Sequence, residues 1–506
     1  MAEFIAAIDQ GTTGTRCMIL DRAGHVRGAH YATHRQFYPR PGWVEHDPLE
    51  IWQRTREVVA AAFATAGVRA KDVAAVGIAN QRETTIVWNR RTGQPYCPAV
   101  VWQCTRSEEI CKRLLTDGLE DLIRERTGLV VASYFSGPKL AWLLEHVPGM
   151  RADAERGEAL FGTVDSWLVW NMTGGPHGGA HVTDVTNASR TMLMDLRRGA
   201  WDPQMLDILS IPRAMLPEIR PSSDVRTFGT WRLEGDGGGA ALPVCGLIGD
   251  QQAALAGQCC FAQGEAKNTY GTGSFLLMHT GARPTASQSG LLSTVAYSLG
   301  AEAPCQYALE GSIAITGAAV QWLRDNLGLL SSAAESEAVA NTVADTGGVY
   351  FVPAFSGLYA PHWDMDARGV IVGLTRYTAR AHLVRATLEA ICYQAREVLE
   401  AMEADSGIRL QALKVDGGAV VNDTLMQLQA DILGTPVVRP LVSETTALGA
   451  AYMAGLAAGV WASTDALRAN WGVERTFMPG WGAERRASGY RGWQRAVDRA
   501  KNWVQS

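Results

Sequence analysis

Residues 4–20 read FIAAIDQGTTGTRCMIL, and this segment indicates the fold. Two apolar runs, 4–8 and 17–20, flank a polar turn with two glycines, which predicts a strand, a tight turn and a second strand. Glycine lets the backbone approach a ligand closely, and the threonine hydroxyls and N–H groups can face an anion. The carboxylate of Asp9 is a group that can hold Mg²⁺, usually through water. The pattern predicts a phosphate-binding hairpin, with an ordinary polar-tipped hairpin as the alternative.

The same pattern returns in the second half of the chain. Residues 266–278, AKNTYGTGSFLLM, again predict a strand, a glycine-containing turn and an apolar strand. Two such hairpins, each opening a half of roughly 250 residues, indicate a duplicated α/β fold with a nucleotide bound between the halves. We expect two domains, 1–255 and 256–506.

Composition limits the classes of function. The 506 residues are 47% hydrophobic and 19% charged, with a net charge of −5 and a pI near 6.1, which argues against a general affinity for nucleic acid. The N-terminal segment lacks a signal-peptide pattern, and nine cysteines without a CxxC pair suit a reducing compartment, so a cytoplasmic protein is expected. The uncharged run 445–464 is interpreted as a buried helix packed through small residues rather than a membrane span.

Polar residues follow two predicted strands at the point where each strand ends. Asn80 to Thr84 come after the strand 72–79, and Asp250 with Gln251 comes after an apolar run that starts at residue 245. Ligands of α/β sheets bind just beyond strand ends, so both segments are candidate site residues. For Asp250, capping of the following helix is the alternative. Trp102 ends a third apolar run and is either core or the wall of a pocket.

Further elements follow from local patterns. Asp47 with Pro48 predicts a helix through about residue 66, and Gly407 predicts the end of a long helix that starts near 381. Residues 172–245 are interpreted as surface loops with short strands. Apolar residues 320, 323, 327 and 330 predict one helical stripe. Gly417 and Gly418, between a strand and a helix opened by Asn422, permit close approach of a nucleotide, with a plain tight turn as the alternative.

The motifs together resemble a known family, the sugar and polyol kinases that share the actin, hexokinase and Hsp70 ATPase fold. The resemblance spans nearly the whole chain, and NQRET (80–84) narrows it to the glycerol kinases. The motifs that carry it are IDQGTTGTR (8–16), GWVEHDP (42–48), NQRETTIVW (80–88), YFSGPKLAWLLEH (134–146), GLIGDQQAAL (246–255), NTYGTG (268–273), ALEGSI (308–313), VPAFSGLYAPHWD (352–364), GVIVGLTRYTARAHLVRATLE (369–389) and VDGGAVVN (415–422).

The resemblance implies two ribonuclease-H-like domains, each a mixed sheet flanked by helices, with the active site in the cleft between them. It also implies phosphorylation of glycerol by ATP with Mg²⁺, and a homodimer or homotetramer. Asp250 would be the general base and Asp9 would position the metal. The residues expected to bind glycerol are Arg82, Glu83, Tyr134, Asp250 and Gln251, with Trp102 and Phe275 as apolar walls. The residues expected to bind the nucleotide are Thr12, Thr13, Gly14, Arg16, Gly271, Thr272, Gly317, Gln321, Gly418 and Asn422.

Several positions depart from the family pattern. Gly14 stands where many relatives carry serine, Thr105 where arginine is usual and Pro138 where threonine is usual. The segment PGWGAERRA (479–487) also differs from the stretch that relatives use to bind a sugar-uptake regulatory protein, which makes that partner doubtful. Two other functions remain open, namely a kinase of another small polyol or sugar, and an inactive ATP-binding protein of the actin type.

We predict weak or absent inhibition by fructose 1,6-bisphosphate. In bacterial relatives that this effector inhibits, a glycine-rich loop carries an arginine that grips it, whereas the corresponding stretch here, DGGGAAL (236–242), has no basic residue. Without that cation the phosphates of the effector lack a charged partner. Titration of kinase activity with the effector tests this, and an inhibition constant in the low micromolar range would refute it.

Overall fold

The protein is described by a computed structural model that covers residues 3–233 and 240–504. Residues 236–239 of the glycine-rich loop therefore lie outside the described residues. The strands are β1 (Phe4–Gln10), β2 (Gly14–Asp21), β3 (Val26–Thr33), β4 (Glu45–His46), β5 (Val73–Asn80), β6 (Ile86–Asn89), β7 (Ala99–Val100), β8 (Ala159–Gly162), β9 (Val182–Asp184), β10 (Met194–Asp195), β11 (Ala200–Trp201), β12 (Glu218–Arg220), β13 (Gly229–Arg232), β14 (Ala241–Gly249), β15 (Ala266–Tyr270), β16 (Ser274–Gly281), β17 (Leu292–Tyr297), β18 (Gln306–Ile313), β19 (Tyr350–Val352), β20 (Val370–Val372), β21 (Leu413–Asp416), β22 (Val437–Pro440) and β23 (Val473–Phe477).

Helices connect and flank these strands. They are α1 (Pro48–Ala66), α2 (Glu108–Thr116), α3 (Glu120–Thr127), α4 (Ser136–His146), α5 (Met150–Glu155), α6 (Val164–Met172), α7 (Val185–Ala188), α8 (Pro203–Ile208), α9 (Asp250–Gly257), α10 (Gly317–Asp325), α11 (Glu335–Ala340), α12 (Arg380–Ser406), α13 (Asp423–Leu433), α14 (Thr445–Ala457), α15 (Thr464–Asn470) and α16 (Ala483–Ala500).

Two large mixed sheets repeat one topology. The first has the order β13-β14-β5-β1-β2-β3, and the second has the order β23-β22-β21-β15-β16-β18-β17. In each, a hairpin (β1–β2 or β15–β16) joins on one side an antiparallel strand and on the other two parallel strands, β5 and β14 or β21 and β22. The predicted duplicated α/β fold with two mixed sheets is confirmed; the boundary at residues 255 and 256 stays a prediction.

Local signals placed several helices correctly. Asp47 accepts a hydrogen bond from the Leu49 N–H, Pro48 is the first residue of α1, and the helix ends at Ala66 as predicted. The long helix α12 ends at Ser406 and is capped by Gly407, whose φ of 69° is the left-handed conformation that glycine adopts without strain. Asn422 caps α13 through its side-chain oxygen. Capping signals depend on only a few neighbouring residues. At these three helices the tertiary structure keeps the helix ends that the signals predict.

The prediction that residues 172–245 lie on the surface is wrong for residues 182–196, which are buried. Their polar side chains bond one another instead of water. Asp184 accepts from the N–H groups of Thr186 and Asn187, and the amides of Asn187 and Asn80 exchange hydrogen bonds of 2.9 and 3.0 Å. A polar composition therefore marks a hydrogen-bonded network here rather than a solvated loop.

The predicted helical stripe from residue 320 to residue 330 is also too long. Helix α10 ends at Asp325, and Leu327 is 44% exposed in the segment that follows. Gly328 has a φ of 62°, a conformation that interrupts a right-handed helix. Val320 and Leu323 lie on the buried face of α10, and Leu330 reaches the same hydrophobic core from the non-helical segment that follows.

Helix α14 crosses from the second half of the chain onto the first sheet, and it is the buried helix predicted in the run 445–464, although it ends at Ala457. It packs against α9, β5 and β14. Glycine makes this contact possible, since a Cβ at Gly449 would lie 1.9 Å from the Ala253 carbonyl oxygen, and one at Gly257 would lie 1.9 Å from the Thr445 carbonyl oxygen. Within residues 3–233 and 240–504, no helix combines the length and the apolarity that crossing a membrane requires.

Replacing Gly449 by alanine tests the contact between α9 and α14. Alanine has the better helix propensity by ~1 kcal/mol, but the added methyl group would meet backbone at 1.9 Å and force the helices apart. Overpacking of this kind costs ~1–3 kcal/mol, so we expect a net loss of free energy of unfolding in urea titrations. Gly482→Ala is the control, because a Cβ there meets nothing within 4 Å. Equal stability of the two variants would contradict the packing described.

Candidate active site

Two hairpins face the region between the sheets. In the first, the Gly11 N–H donates to the Gly14 carbonyl at 2.9 Å, and in the second the Gly271 N–H donates to the Gly273 carbonyl at 2.8 Å. The second turn is thus one residue shorter. Both turns carry threonine hydroxyls, which fits the sequence-based prediction of two phosphate-binding hairpins.

Asp9 and Arg16 lie directly opposite each other on β1 and β2, so their side chains share one face of the sheet. Burial, and then the charge of Asp250, raise the pKa of Asp9 to about 7, although Arg16 opposes the shift. Arg16 also forms an ion pair with Glu444, at 2.6 Å between Nη1 and Oε1. An anionic ligand at the hairpin would compete with Glu444 for the guanidinium group, and a cation beside Asp9 would favour its ionised form.

Adjacent parallel strands bring the segments after residues 80 and 249 together. Gly249 pairs with Asn80, so Arg82 and Asp250 emerge side by side at the carboxyl ends of β5 and β14. The Arg82 Nε lies 3.2 Å from Asp250 Oδ1. Gly249, not Asp250, is the capping residue of α9, and Asp250 accepts from the Gln251 N–H at 2.7 Å. Burial raises the pKa of Asp250 against the opposing charges of Arg82 and Lys267.

Glu83 occupies an unusual backbone conformation between Arg82 and Thr84. Its φ is 61°, and the Thr84 N–H donates to the Arg82 carbonyl at 2.7 Å across it. Such a conformation costs a non-glycine residue ~1–3 kcal/mol and is commonest at functional sites. The Glu83 carbonyl accepts from the Ser136 hydroxyl at 3.0 Å, which holds the turn against α4. Glu83 is 1% exposed, and burial raises its pKa.

A buried ion network lies beneath these residues, and sequence reasoning missed two of its members, Glu310 and Arg190. Glu310 accepts from Arg82 Nη1 at 2.5 Å and Nη2 at 3.0 Å, and also from Arg190 Nη2 at 3.0 Å. Arg190 Nε in turn donates to Glu83 at 2.7 Å. Burial opposes ionisation of Glu310, but Arg190 and Arg82 outweigh it and lower its pKa to about 2.

A sequence signal existed for only one of these two members. Glu310 is a single charged residue in the apolar strand β18, and such a residue needs a buried partner. Arg190 had no local signal, since it follows the short helix α7 inside the segment interpreted as surface.

Three aromatic rings form a wall across the gap between the halves. The Trp102 ring meets Tyr134 edge to face with centroids 5.4 Å apart, and Phe275 with centroids 6.3 Å apart. The indole Nε1–H of Trp102 donates to the Thr12 hydroxyl at 2.9 Å, which links the wall to the first hairpin. Phe275 belongs to β16 of the second hairpin, so the wall contacts both.

Two buried lysines support the wall. Lys139 donates to the backbone carbonyls of Ser133 at 2.6 Å and Phe135 at 3.1 Å, and to that of Tyr134, so it holds the loop that carries the Tyr134 ring. Lys267 donates to Gln251 Oε1 at 2.5 Å and to the Phe275 carbonyl at 3.1 Å. Burial lowers the pKa of Lys139 to about 7 and that of Lys267 to about 8. Neither was predicted as a site residue.

The remaining predicted residues surround the second hairpin. The Gly317 N–H donates to the Gly271 carbonyl at 3.1 Å, and a Cβ at Gly317 would lie 2.5 Å from that oxygen. Gly417, whose φ is 94°, is equally close, since its Cβ would lie 2.4 Å from the Tyr270 carbonyl oxygen. Glycine at both positions thus permits close approach of two backbones at the hairpin.

Gln321 and Asn422 lie farther from the turn. Gln321 is exposed on α10, and the Asn422 oxygen accepts from the Leu425 N–H at 2.8 Å as a helix cap. Gly418 is exposed, and a Cβ there meets nothing within 4 Å.

Comparison with known proteins gives these residues a context. The model of the N-terminal domain of the FGGY family of carbohydrate kinases matches residues 4–257, and the model of its C-terminal domain matches residues 266–458. The chain belongs to the FGGY family of carbohydrate kinases. The predicted membership among sugar and polyol kinases is confirmed, and the two large sheets are those of this kinase fold.

Within the FGGY family, the chain is similar to several proteins named glycerol kinase. The chain is 60% identical to glycerol kinase of Chloroflexus aurantiacus over 505 residues, which cover 100% of both chains. It is 59% identical to glycerol kinase of Mycobacterium tuberculosis over 503 residues, covering 99% of this chain and 97% of that protein. Among solved structures, glycerol kinase of Plasmodium falciparum with ADP superposes with a TM-score of 0.92 at 37% identity, covering 99% of each chain.

Replacing Glu310 by glutamine tests the buried ion network of this FGGY kinase. Arg82 and Arg190 would keep a neutral hydrogen-bond acceptor of the same shape but lose the charge between them. Removing one partner of a buried ion pair costs ~3–5 kcal/mol, so a drop of this size is expected in the free energy of unfolding by urea. Glu109→Gln, at a side chain 80% exposed and paired with Lys112, is expected to change it by ~0.5 kcal/mol or less. A Glu310→Gln variant as stable as this control would disprove the network.

Proposed function

We propose that the protein transfers the γ-phosphoryl group of ATP to glycerol, forming sn-glycerol 3-phosphate and ADP. The observation that carries this proposal is the placement of Asp250, a partly buried carboxylate with a raised pKa. Its Oδ1 lies 3.2 Å from the Nε of Arg82, a hydroxyl-binding candidate, and its charge also raises the pKa of Asp9 on the first hairpin. Full-length identity of 60% to a protein named glycerol kinase supports the choice of substrate.

Glycerol would lie against charged and polar side chains on one side and aromatic rings on the other. Arg82 donates hydrogen bonds, the carboxylates of Glu83 and Asp250 accept them, and Tyr134 and Gln251 complete the set of hydroxyl partners. Trp102 and Phe275 would contact the carbon skeleton. Since all three hydroxyls find partners, an analogue that lacks one leaves a buried group unpaired, and such sites reject analogues by ~10⁴-fold or more.

The chemical step is an in-line displacement at the γ-phosphorus. The 3-hydroxyl oxygen of glycerol forms the new bond to phosphorus as the bond to the β,γ-bridging oxygen breaks, and ADP leaves with those electrons. Asp250 takes the hydroxyl proton. A carboxylate with a raised pKa is a stronger base than an ordinary aspartate, and positioned bases contribute ~10²–10⁴-fold to the rate.

Thr12, Thr13, Gly14 and Arg16 would hold the phosphates from the first hairpin. Thr272 and Gly271 would do so from the second, where N–H groups and a hydroxyl are available. We assign the ribose and base to the side formed by Gly317, Gln321, Gly418 and Asn422.

Asp9 is the residue assigned to Mg²⁺. The described residues contain no group of three or more His, Cys, Asp or Glu side chains that could hold a metal ion, which fits Mg²⁺ because it commonly binds one or two carboxylates, waters and substrate phosphates. Burial and the charge of Asp250 both raise the pKa of Asp9, and a nearby cation would oppose this shift by favouring the ionised carboxylate. When bound, Mg²⁺ would neutralise part of the charge on the phosphates.

A kinase of another small polyol or sugar is the second candidate, because carbohydrate kinases share this fold. Activity measured across glycerol, dihydroxyacetone, erythritol and xylulose separates the two, and a preference for any of the other three would reject glycerol as the substrate. An inactive ATP-binding protein of the actin type is not favoured, because Asp250, Asp9 and both hairpins are in place.

We also propose that the protein is a homodimer or homotetramer and that it is cytoplasmic. Light scattering tests the oligomeric state.

The general-base assignment predicts the behaviour of Asp250→Asn. Without a proton acceptor, kcat for glycerol-dependent ADP release should fall by ~10² or more, while the variant remains folded. In the unsubstituted protein, kcat should rise as pH rises through the pKa of Asp250, at a higher pH than for an ordinary aspartate, because burial raises that pKa. Asp498→Asn, at a side chain 70% exposed on α16, is the control and should retain full activity. An active Asp250→Asn variant would remove Asp250 from this role.

A further inference from the structure

Tyr31 lies in the row of side chains that crosses the sheet at the first hairpin. On β3 it is directly opposite Arg16, which is directly opposite Asp9 on β1, so the three side chains share one face. The Arg16 guanidinium carbon is 5.5 Å from the centre of the Tyr31 ring. Nothing in the local sequence pattern singled out Tyr31, because β3 is an edge strand with mostly exposed residues.

The Tyr31 hydroxyl occupies the space beside Gly14. A Cβ built on Gly14 would lie 2.5 Å from the Tyr31 Oη and 2.6 Å from the Ala32 carbonyl oxygen. A residue with a side chain at position 14 would therefore collide with the phenol. Gly14 has no side-chain hydroxyl. The hydroxyl group of Tyr31, on the neighbouring strand β3, lies in the space that a side chain at position 14 would occupy.

The Tyr31 hydroxyl also lies beside the turn of the first hairpin. Its oxygen lies 3.4 Å from the Thr13 Oγ1, at the outer limit of hydrogen-bond distance, so this contact is weak. Tyr31 is 45% exposed and faces the same side as Arg16, whose charge would attract a phosphate. A phosphate oxygen at that site would accept a shorter, charge-assisted bond from the phenol O–H.

We propose that the Tyr31 hydroxyl is an additional ligand of the nucleotide phosphates, in the place of the hydroxyl that position 14 lacks. This inference rests on the proposed function, since it assigns the first hairpin to the phosphates of ATP. Packing of the ring on Arg16 alone is the competing explanation. In that case the ring would matter and the hydroxyl would not.

Tyr31→Phe separates these explanations, since it removes only the hydroxyl. A hydrogen bond to a charged group is typically worth a ~10-fold or larger change in an equilibrium constant, so the Kd for ATP should rise ~10-fold. The Kd for adenosine, which has no phosphate, should not change, and neither should Tm or the KM for glycerol. Binding is measured by calorimetry for ATP and by ligand-observed NMR for adenosine. Tyr38→Phe, at a side chain 69% exposed beyond β3, is the matched control.

An unchanged Kd for ATP in Tyr31→Phe would overturn the inference, as would an equal loss of affinity for ATP and adenosine, which would indicate displacement of the hairpin. Failure of the proposed function has a different signature. The unsubstituted protein would then release no ADP in the presence of glycerol, whereas ATP binding would still report on Tyr31. ADP release by the unsubstituted protein thus tests the proposed function, and ATP binding by Tyr31→Phe tests the role of Tyr31.

Discussion

The ion pair between Arg82 and Glu310 is the interaction on which the site depends. Arg82 follows β5 of the first sheet, Glu310 lies on β18 of the second, and both side chains are nearly inaccessible to solvent. Two buried charges are stable only with close partners, and the two parallel hydrogen bonds between these groups fix their relative position. Since Arg82 also contacts Asp250, the position of the proposed base is tied to the second half of the chain.

Duplication gave the two hairpins similar backbones and different chemistry. In the first, a carboxylate and a guanidinium face each other across the strands, as Asp9 and Arg16. In the second, the pair at the corresponding distance from the turn is Thr269 and Phe275. The first hairpin can therefore balance charge on a phosphate or a cation, whereas the second adds a ring to the aromatic wall. The first hairpin thus contributes charged side chains to the region between the sheets, and the second contributes an aromatic ring.

A feature could be predicted from the sequence when the residues that determine it are close together in the chain. Helix starts such as Asp47 and Asn422, and the hairpins around Gly11 and Gly271, follow from a few neighbouring residues, and the structure places them as expected. The family resemblance supplied roles for Arg82 and Asp250 because these lie within recognisable motifs. Arg190 could not be found in this way, since its importance comes from contacts more than 100 positions away in sequence.

The hydrogen bond from Trp102 to Thr12 couples the aromatic wall to the first hairpin. A threonine hydroxyl has one proton to give and two lone pairs that receive. Because the indole Nε1–H already occupies a lone pair, the hydroxyl proton of Thr12 remains free to be donated to another acceptor. In the proposed function that acceptor would be a phosphate at the first hairpin. The ring proposed to contact the carbon skeleton of glycerol would then also orient, through one shared oxygen, a hydroxyl proposed to bind phosphate.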